Sequence, residues 1–182
     1  MSGERDRQAK LLRALAESLD VSKALATVPD AEEKELRSAL STAADALSAP
    51  SSARVYFDGA SRGNPGPSGA GALIQDADGT ILAEVAKYLG EFTNNMAEYL
   101  ALSLALKEAL RLGIRRVDLY SDSELLVKQI NGEYRVKDEK LKLLNKSVRD
   151  VLSSFEFYEI RHIPREQNRE ADRLANRAID DR

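Results

Sequence analysis

Beyond residue 53 the apolar residues change their spacing, and the order of the new pattern restricts the fold more than any other feature of the chain. Strand-type runs at residues 54–57, 70–75 and 81–88 come first, the last two joined by Asp76-Ala77-Asp78-Gly79, a hairpin signal. A helical stretch follows, with Met96, Leu100, Leu104 and Ala105 on one stripe, Leu110 near its end and Gly113 as its stop. Next come a strand at 117–120, a helix through Leu125, Leu126 and Ile130 to Asn131-Gly132, and a helix over 137–152. A strand over 155–163, a loop at 164–168 and a helix carrying Ala171, Leu174, Ala175 and Ala178 complete the chain. The order β-β-β-α-β-α-α-β-α predicts an α/β fold. Its centre is a five-stranded mixed sheet, part meander and part right-handed crossover, flanked by helices.

Residues 1–47 read differently and predict a small N-terminal helical segment. Leu11, Leu12, Leu15, Ala16 and Leu19 keep helical spacing, as do Leu36, Leu40, Ala43 and Leu47 after a break at Pro29-Asp30, and a short third helix fits around residues 22–27. A unit this small buries little surface, so it is expected to pack on the rest of the chain or on another chain. Residues 48–53, small, polar and proline-containing, read as a linker, which leaves 54–182 as the main domain.

Composition removes several kinds of chemistry. The 182 residues include no cysteine, which excludes disulfides, cysteine-based zinc sites and a thiolate nucleophile, and one histidine, which excludes a multi-histidine metal centre. No run approaches the roughly 18 apolar residues of a membrane span, so no membrane partner is expected. The first ten residues have no apolar segment behind a basic one, so a cytoplasmic location is the expectation. A net charge of −3 does not describe a strongly basic nucleic-acid binder.

Four carboxylates stand where such a fold gathers active groups, at strand ends and on first helical turns. Asp58 follows strand one, Asp122 follows strand four, and Glu98 and Asp172 lie early in two helices. Each also has an ordinary reading. Asp58 before Gly59 suits a turn, Asp122 suits a helix N-cap, and Glu98 and Asp172 suit solvated acids favoured by a helix dipole. What separates the readings is their neighbours.

Tyr56-Phe57-Asp58-Gly59-Ala60-Ser61-Arg62-Gly63-Asn64-Pro65-Gly66-Pro67 resembles the first motif of ribonuclease HI, the type 1 ribonuclease H family. Thr93-Asn94-Asn95-Met96-Ala97-Glu98 resembles its second and Tyr120-Ser121-Asp122-Ser123 its third. Asn168-Arg169-Glu170-Ala171-Asp172-Arg173-Leu174-Ala175-Asn176 is similar to its fourth. The likeness runs in family order over about residues 54–180. It implies a ribonuclease H-like fold and endonucleolytic cleavage of the RNA strand of an RNA–DNA hybrid, leaving 5′-phosphate and 3′-hydroxyl ends. It further implies that Asp58, Glu98, Asp122 and Asp172 are catalytic and bind two Mg²⁺ ions, with Mn²⁺ as a substitute and Asp58 as the bridging ligand. The chemistry agrees. A phosphodiester gains negative charge in its transition state, and hard cations about 4 Å apart on oxygen ligands counter that charge.

The resemblance also assigns substrate contacts. Asn64, Asn94 and Asn95 match family positions that read 2′-hydroxyls, backbone groups near Gly63 match a close approach, and Thr93 matches a holder of a DNA-strand phosphate. The alternative for the asparagines is turn formation and capping. His162 or Arg165 is the candidate for assisting proton transfer, product release or phosphate contact. His162 is otherwise a plain strand residue, and the segment His162-Ile163-Pro164-Arg165-Glu166-Gln167-Asn168 departs from the family's glycine-rich loop.

Two further departures matter. The basic, tryptophan-rich protrusion of some relatives is replaced by residues 131–142, where Tyr134, Arg135, Lys137, Lys140 and Lys142 alternate with acids, so weaker hybrid binding is expected. Residues 1–47, with seven Lys/Arg against nine Asp/Glu and no aromatic residue, lack the stacking platform of a hybrid-binding module. They are expected to dock or self-associate. A non-catalytic binder of hybrid or double-stranded RNA, or an enzyme that also cleaves double-stranded RNA, is the alternative function.

Overall fold

The protein is described by a computed structural model covering residues 7, 11, 12, 14, 15, 17, 20–48 and 52–182, with side chains of 41–48 excepted. Two compact units divide the chain, Met1–Ala49 and Pro50–Arg182.

In the first unit the described residues between 7 and 17 are helical, followed by α1 (Val21–Ala26) and α2 (Glu33–Ser48). Asp20 caps α1 by accepting from the Ser22 and Lys23 amides. Leu11, Val28 and Leu36 form the core, with Leu12, Leu15, Leu25 and Ala31 packed against it. Leu40 is 43% exposed rather than buried, and Ala39 takes the inward position. Ala16 and Leu19, and the side chains of Ala43 and Leu47, lie outside the described residues. The expected linker shrinks at both ends, because Ser48 closes α2 and Ser52 and Ala53 open the first strand.

The second unit holds β1 (Ser52–Ser61), β2 (Gly66–Gln75), β3 (Ile81–Phe92), α3 (Asn94–Arg111), β4 (Arg116–Ser121), α4 (Glu124–Ile130), α5 (Glu139–Leu152), β5 (Phe157–His162), a 3₁₀ turn (Arg165–Gln167) and α6 (Arg169–Asp180). Their order is the expected one. The sheet runs β3-β2-β1-β4-β5, with β1 antiparallel to β2 and parallel to β4, and β4 parallel to β5. β1 is therefore central. No helix among the described residues is long and apolar enough to cross a membrane.

Four strands exceed the lengths expected from sequence. β1 continues through Asp58 and Gly59 to Ser61 because its partner β2 keeps pace, Asp58 facing Gly71 and Ser61 facing Ser68. Hence Asp58 sits within a strand and not in a turn. The turn falls later, at Gly63 with φ 114° and a cis Asn64–Pro65 bond. α3 ends as expected, Gly113 at φ 78° donating to Leu110 O and Ile114 to Ala109 O.

Close approach, more than bulk, sets the packing at the site. The buried residues of α3 are Ala97, Tyr99, Ala101, Leu102, Ala105, Leu106 and Ala109, while Met96, Leu100 and Leu104 border them. Small residues lead because β1 presses on the helix: a Cβ at Gly59 would lie 2.2 Å from the Ala97 carbonyl carbon and the Glu98 nitrogen. On the opposite face a Cβ at Gly71 would lie 2.1 Å from Ala171 O, and one at Gly69 2.2 Å from Ala175 O, so α6 lies equally close. Val55, Phe57, Ile74, Leu119, Leu126 and Leu152 fill the core behind these contacts.

Candidate active site

The two glycine contacts decide where four acids meet. Gly59 brings α3 to β1 at Glu98, one residue past Asp58, and Gly71 brings α6 to the strand position opposite Asp58, with Asp172 one residue past the contact. β4 lies beside β1, and Asp122 follows its last residue. Asp58, Glu98, Asp122 and Asp172 consequently line one cavity of about 260 Å³, together with Gly59, Ala60, Ser61, Asn94, Arg165 and Asn176. The expected convergence of the four at one edge of the sheet is thus what the structure brings together.

Three of the acids are held by neighbouring side chains. Glu98 Oε2 accepts from Ser123 Oγ at 2.6 Å and Oε1 from Asn94 Nδ2 at 3.0 Å. Asp122 Oδ1 accepts from Asn168 Nδ2 at 2.6 Å, and Asp172 Oδ1 from the Arg165 guanidinium at 2.9 Å. Asp122 is not the cap of α4; Ser123 is, accepting from the Leu126 amide. Burial pushes the Asp58 carboxyl up to about 7, and the charges of Asp122, Asp172 and Glu98 push the same way. Burial also raises Glu98, against its bond from Ser123, with Asp122 adding to the rise.

Such crowding is unfavourable for a fold and suits a cation. As the side chains stand, no three acidic or imidazole groups among the described residues converge closely enough to hold an ion. The fit lies in the donor set, because the four acids offer hard carboxylate oxygens, which favour Mg²⁺ or Mn²⁺. The raised Asp58 carboxyl marks where added positive charge would be most stabilising.

Other candidates divide. Arg165 is the one cation among the residues lining the cavity and is 74% exposed beyond its contact with Asp172. His162 ends β5, opposite Ser121 in register, exposed and near Glu124, and does not line the cavity. Asn94 lines the cavity through its bond to Glu98. Asn64, Thr93 and Asn95 line a neighbouring hollow of about 340 Å³ with Met96, Asp138, Lys140 and Leu141. Asn64 Oδ1 accepts from the Asn94 amide at 3.2 Å, which joins the two places, and Thr93 caps α3 through the Met96 amide. Gly63 shapes the turn beside Asn64.

Sequence reasoning assigned no role to Ser123 or Asn168, although both lie inside the quoted motifs. It also missed Tyr99, whose buried hydroxyl donates to Gln129 Oε1 and accepts from Asn145 Nδ2, tying α3 to α4 and α5 beside Glu98. A serine at a helix start and an asparagine before a helix look like plain caps, so spacing alone gave no signal.

Comparison with known proteins bears on the same segment. The model of the reverse transcriptase-like family matches residues 56–178, which contain all four acids. Ribonuclease HI of Halobacterium salinarum is 44% identical over 127 residues, 70% of this chain and 64% of that protein. A bifunctional protein of Mycobacterium tuberculosis is 43% identical over 127 residues, 69% of this chain and 35% of that one. The chain thus spans less than two thirds of the length of either relative. Among solved structures, RNase H1 of H. salinarum superposes with a TM-score of 0.71 at 43% identity, over 72% of this chain and 99% of that one. LC11-RNase H1 in complex with an RNA/DNA hybrid gives 0.68 at 41% identity, over 71% and 97%.

Proposed function

The chain belongs to the ribonuclease H1 family, and on that premise we propose that it is a metal-dependent endoribonuclease hydrolysing the RNA strand of RNA–DNA hybrids. The observation that carries this reading is the meeting of Asp58, Glu98, Asp122 and Asp172, from four separate elements, around one cavity. A binding module gains nothing from acids that repel a phosphodiester. Divalent ions held by these carboxylates would supply the charge that lets water attack the phosphorus and the 3′-oxygen leave.

The chain's own groups do the rest. Asp58, on the central strand with the other three acids around it, would be the carboxylate shared between the ions. Ser123 and Asn94 keep Glu98 in one orientation through both its oxygens, so little reorganisation accompanies the reaction. Arg165, a long and largely exposed side chain beside Asp172, would exchange that contact for a phosphate oxygen. Asn64, Asn94 and Asn95 lie on the approach to the cavity, where amides that both donate and accept can read 2′-hydroxyls. Water attack with departure of the 3′-oxygen gives 5′-phosphate and 3′-hydroxyl ends.

End-labelled RNA–DNA hybrid, DNA duplex and RNA duplex, each incubated with Mg²⁺, Mn²⁺ or chelator, test the reading. Metal-dependent cutting confined to the RNA strand of the hybrid is expected, and its loss in Asp122→Asn assigns it to this site. Binding of the hybrid without cutting under any metal would overturn it in favour of a binding module. Cutting of the RNA duplex as well would broaden the substrate.

A further inference from the structure

Asn168 is an N-cap that does not cap. An asparagine before a helix ordinarily turns its side-chain oxygen onto the amides of the first turn, yet Asn168 makes no such bond to α6. Its side chain points into the sheet instead, and the residue is 1% exposed. Both amide hydrogens are used there. Nδ2 donates to Phe57 O at 3.0 Å, on β1 one residue before Asp58, and to Asp122 Oδ1 at 2.6 Å. The two acceptors fix the orientation of the amide, since exchanging its nitrogen and oxygen would set an oxygen against a carbonyl and a carboxylate. Oδ1 is left buried with no partner among the described residues. An unsatisfied buried oxygen is unfavourable, so this arrangement serves something other than the stability of the helix end.

Resting on the ribonuclease reading above, we propose that Asn168 is a positioning residue that sets the mutual placement of Asp58, Asp122 and Asp172. It stands at the junction of the three elements that carry them. It bonds the β1 backbone next to Asp58, bonds the Asp122 carboxylate itself, and begins the helix whose fourth residue is Asp172. A donor on Asp122 Oδ1 leaves Oδ2 as the freer oxygen, so Asp122 presents one defined atom to an ion. A hydrophobic or cap residue could close the same corner of the fold, but would not fix that carboxylate.

Asn168→Ala separates this from a packing role. Outer partners of metal ligands alter affinity or activity by about 10–100-fold. The expected result is a fall of that size in kcat with an unchanged KM for hybrid. The Mg²⁺ or Mn²⁺ concentration at half-maximal thermal stabilisation, measured without substrate, should rise by a similar factor. Wild-type kcat and an unmoved metal midpoint would overturn the proposal. If the variant does not fold, the wild-type Asn168 side-chain amide decides by ¹⁵N NMR: slow hydrogen exchange and a shift on Mg²⁺ addition are expected, and free exchange with no response to Mg²⁺ overturns it. A wild-type protein that is stabilised by metal but does not cut hybrid would defeat the ribonuclease reading and leave the Asn168 measurement standing.

Discussion

Glu35 in the helical unit is a partly exposed carboxylate and Asp58 in the sheet unit a buried one, and their surroundings have opposite sign. Glu35 is paired through both oxygens with the Arg7 guanidinium, and that bond holds its carboxyl below the usual range. Asp58 meets three more acids, and burial with their repulsion holds it far above. The first arrangement is what folding alone favours. The second works against stability, and buried acids crowded by like charge are a mark of functional sites. In this molecule, then, burial and the sign of a carboxylate's neighbours act together to set the two apart.

The contrast breaks most sharply if a crowded acid is neutralised. Asp58→Asn and Asp122→Asn should each lower hybrid cleavage on the order of 10³-fold, the scale on which a lost electrostatic catalytic group acts. Asp58→Asn should nevertheless raise the thermal midpoint in chelator near about pH 8, as followed by circular dichroism. A lowered midpoint would show that Asp58 is structural. Gly59→Ala attacks the crowding by another route. Its Cβ would overlap the α3 backbone at Ala97 and Glu98, so both cleavage and thermal midpoint should fall, and an active, stable variant would deny the close approach.

Acidity sharpens the comparison. Asp58 keeps its proton in the folded state up to about 7, while the unfolded chain gives it up near 3.8. Its contribution is therefore present below the lower value and lost as pH rises through that window, a change of a few kcal/mol in chelator. Glu35, shifted downward, contributes above its unfolded value and loses that contribution as pH falls. Opposite slopes for the two units, read by chemical denaturation with probes in each, are expected. Parallel slopes would contradict the assignment. Arg7→Met should weaken the helical unit alone, a smaller effect because the pair is partly exposed. The smallest change belongs to His162→Ala, expected within about threefold of wild-type cleavage since His162 does not line the cavity; a large loss would place it in the reaction.

Much of this was legible from spacing. The element order followed from the change of period after residue 53, and the four acids from their motifs. Strand ends were not legible, because Asp58-Gly59 and Gly66-Pro67 carry turn signals that the β1–β2 ladder overrides. The inward face of α3 was legible only in part. Ala105 is buried and Met96 and Leu104 pack against the core, but Ala97, Ala101 and Ala109 went unread, since a glycine opposite an alanine stripe leaves no trace in hydrophobicity. Asn168 hid for a related reason. Its partner Phe57 is 111 residues away, and a local reading sees only a helix cap.

The most direct measurement is the thermal midpoint of the protein and of Asp58→Asn across a Mg²⁺ titration near about pH 8, without substrate. A concentration-dependent rise in the wild type that is absent from the variant is the expected result, as for a ligand that binds the folded state alone. Equal responses in both proteins, or none in the wild type, would contradict a cation site built from these carboxylates.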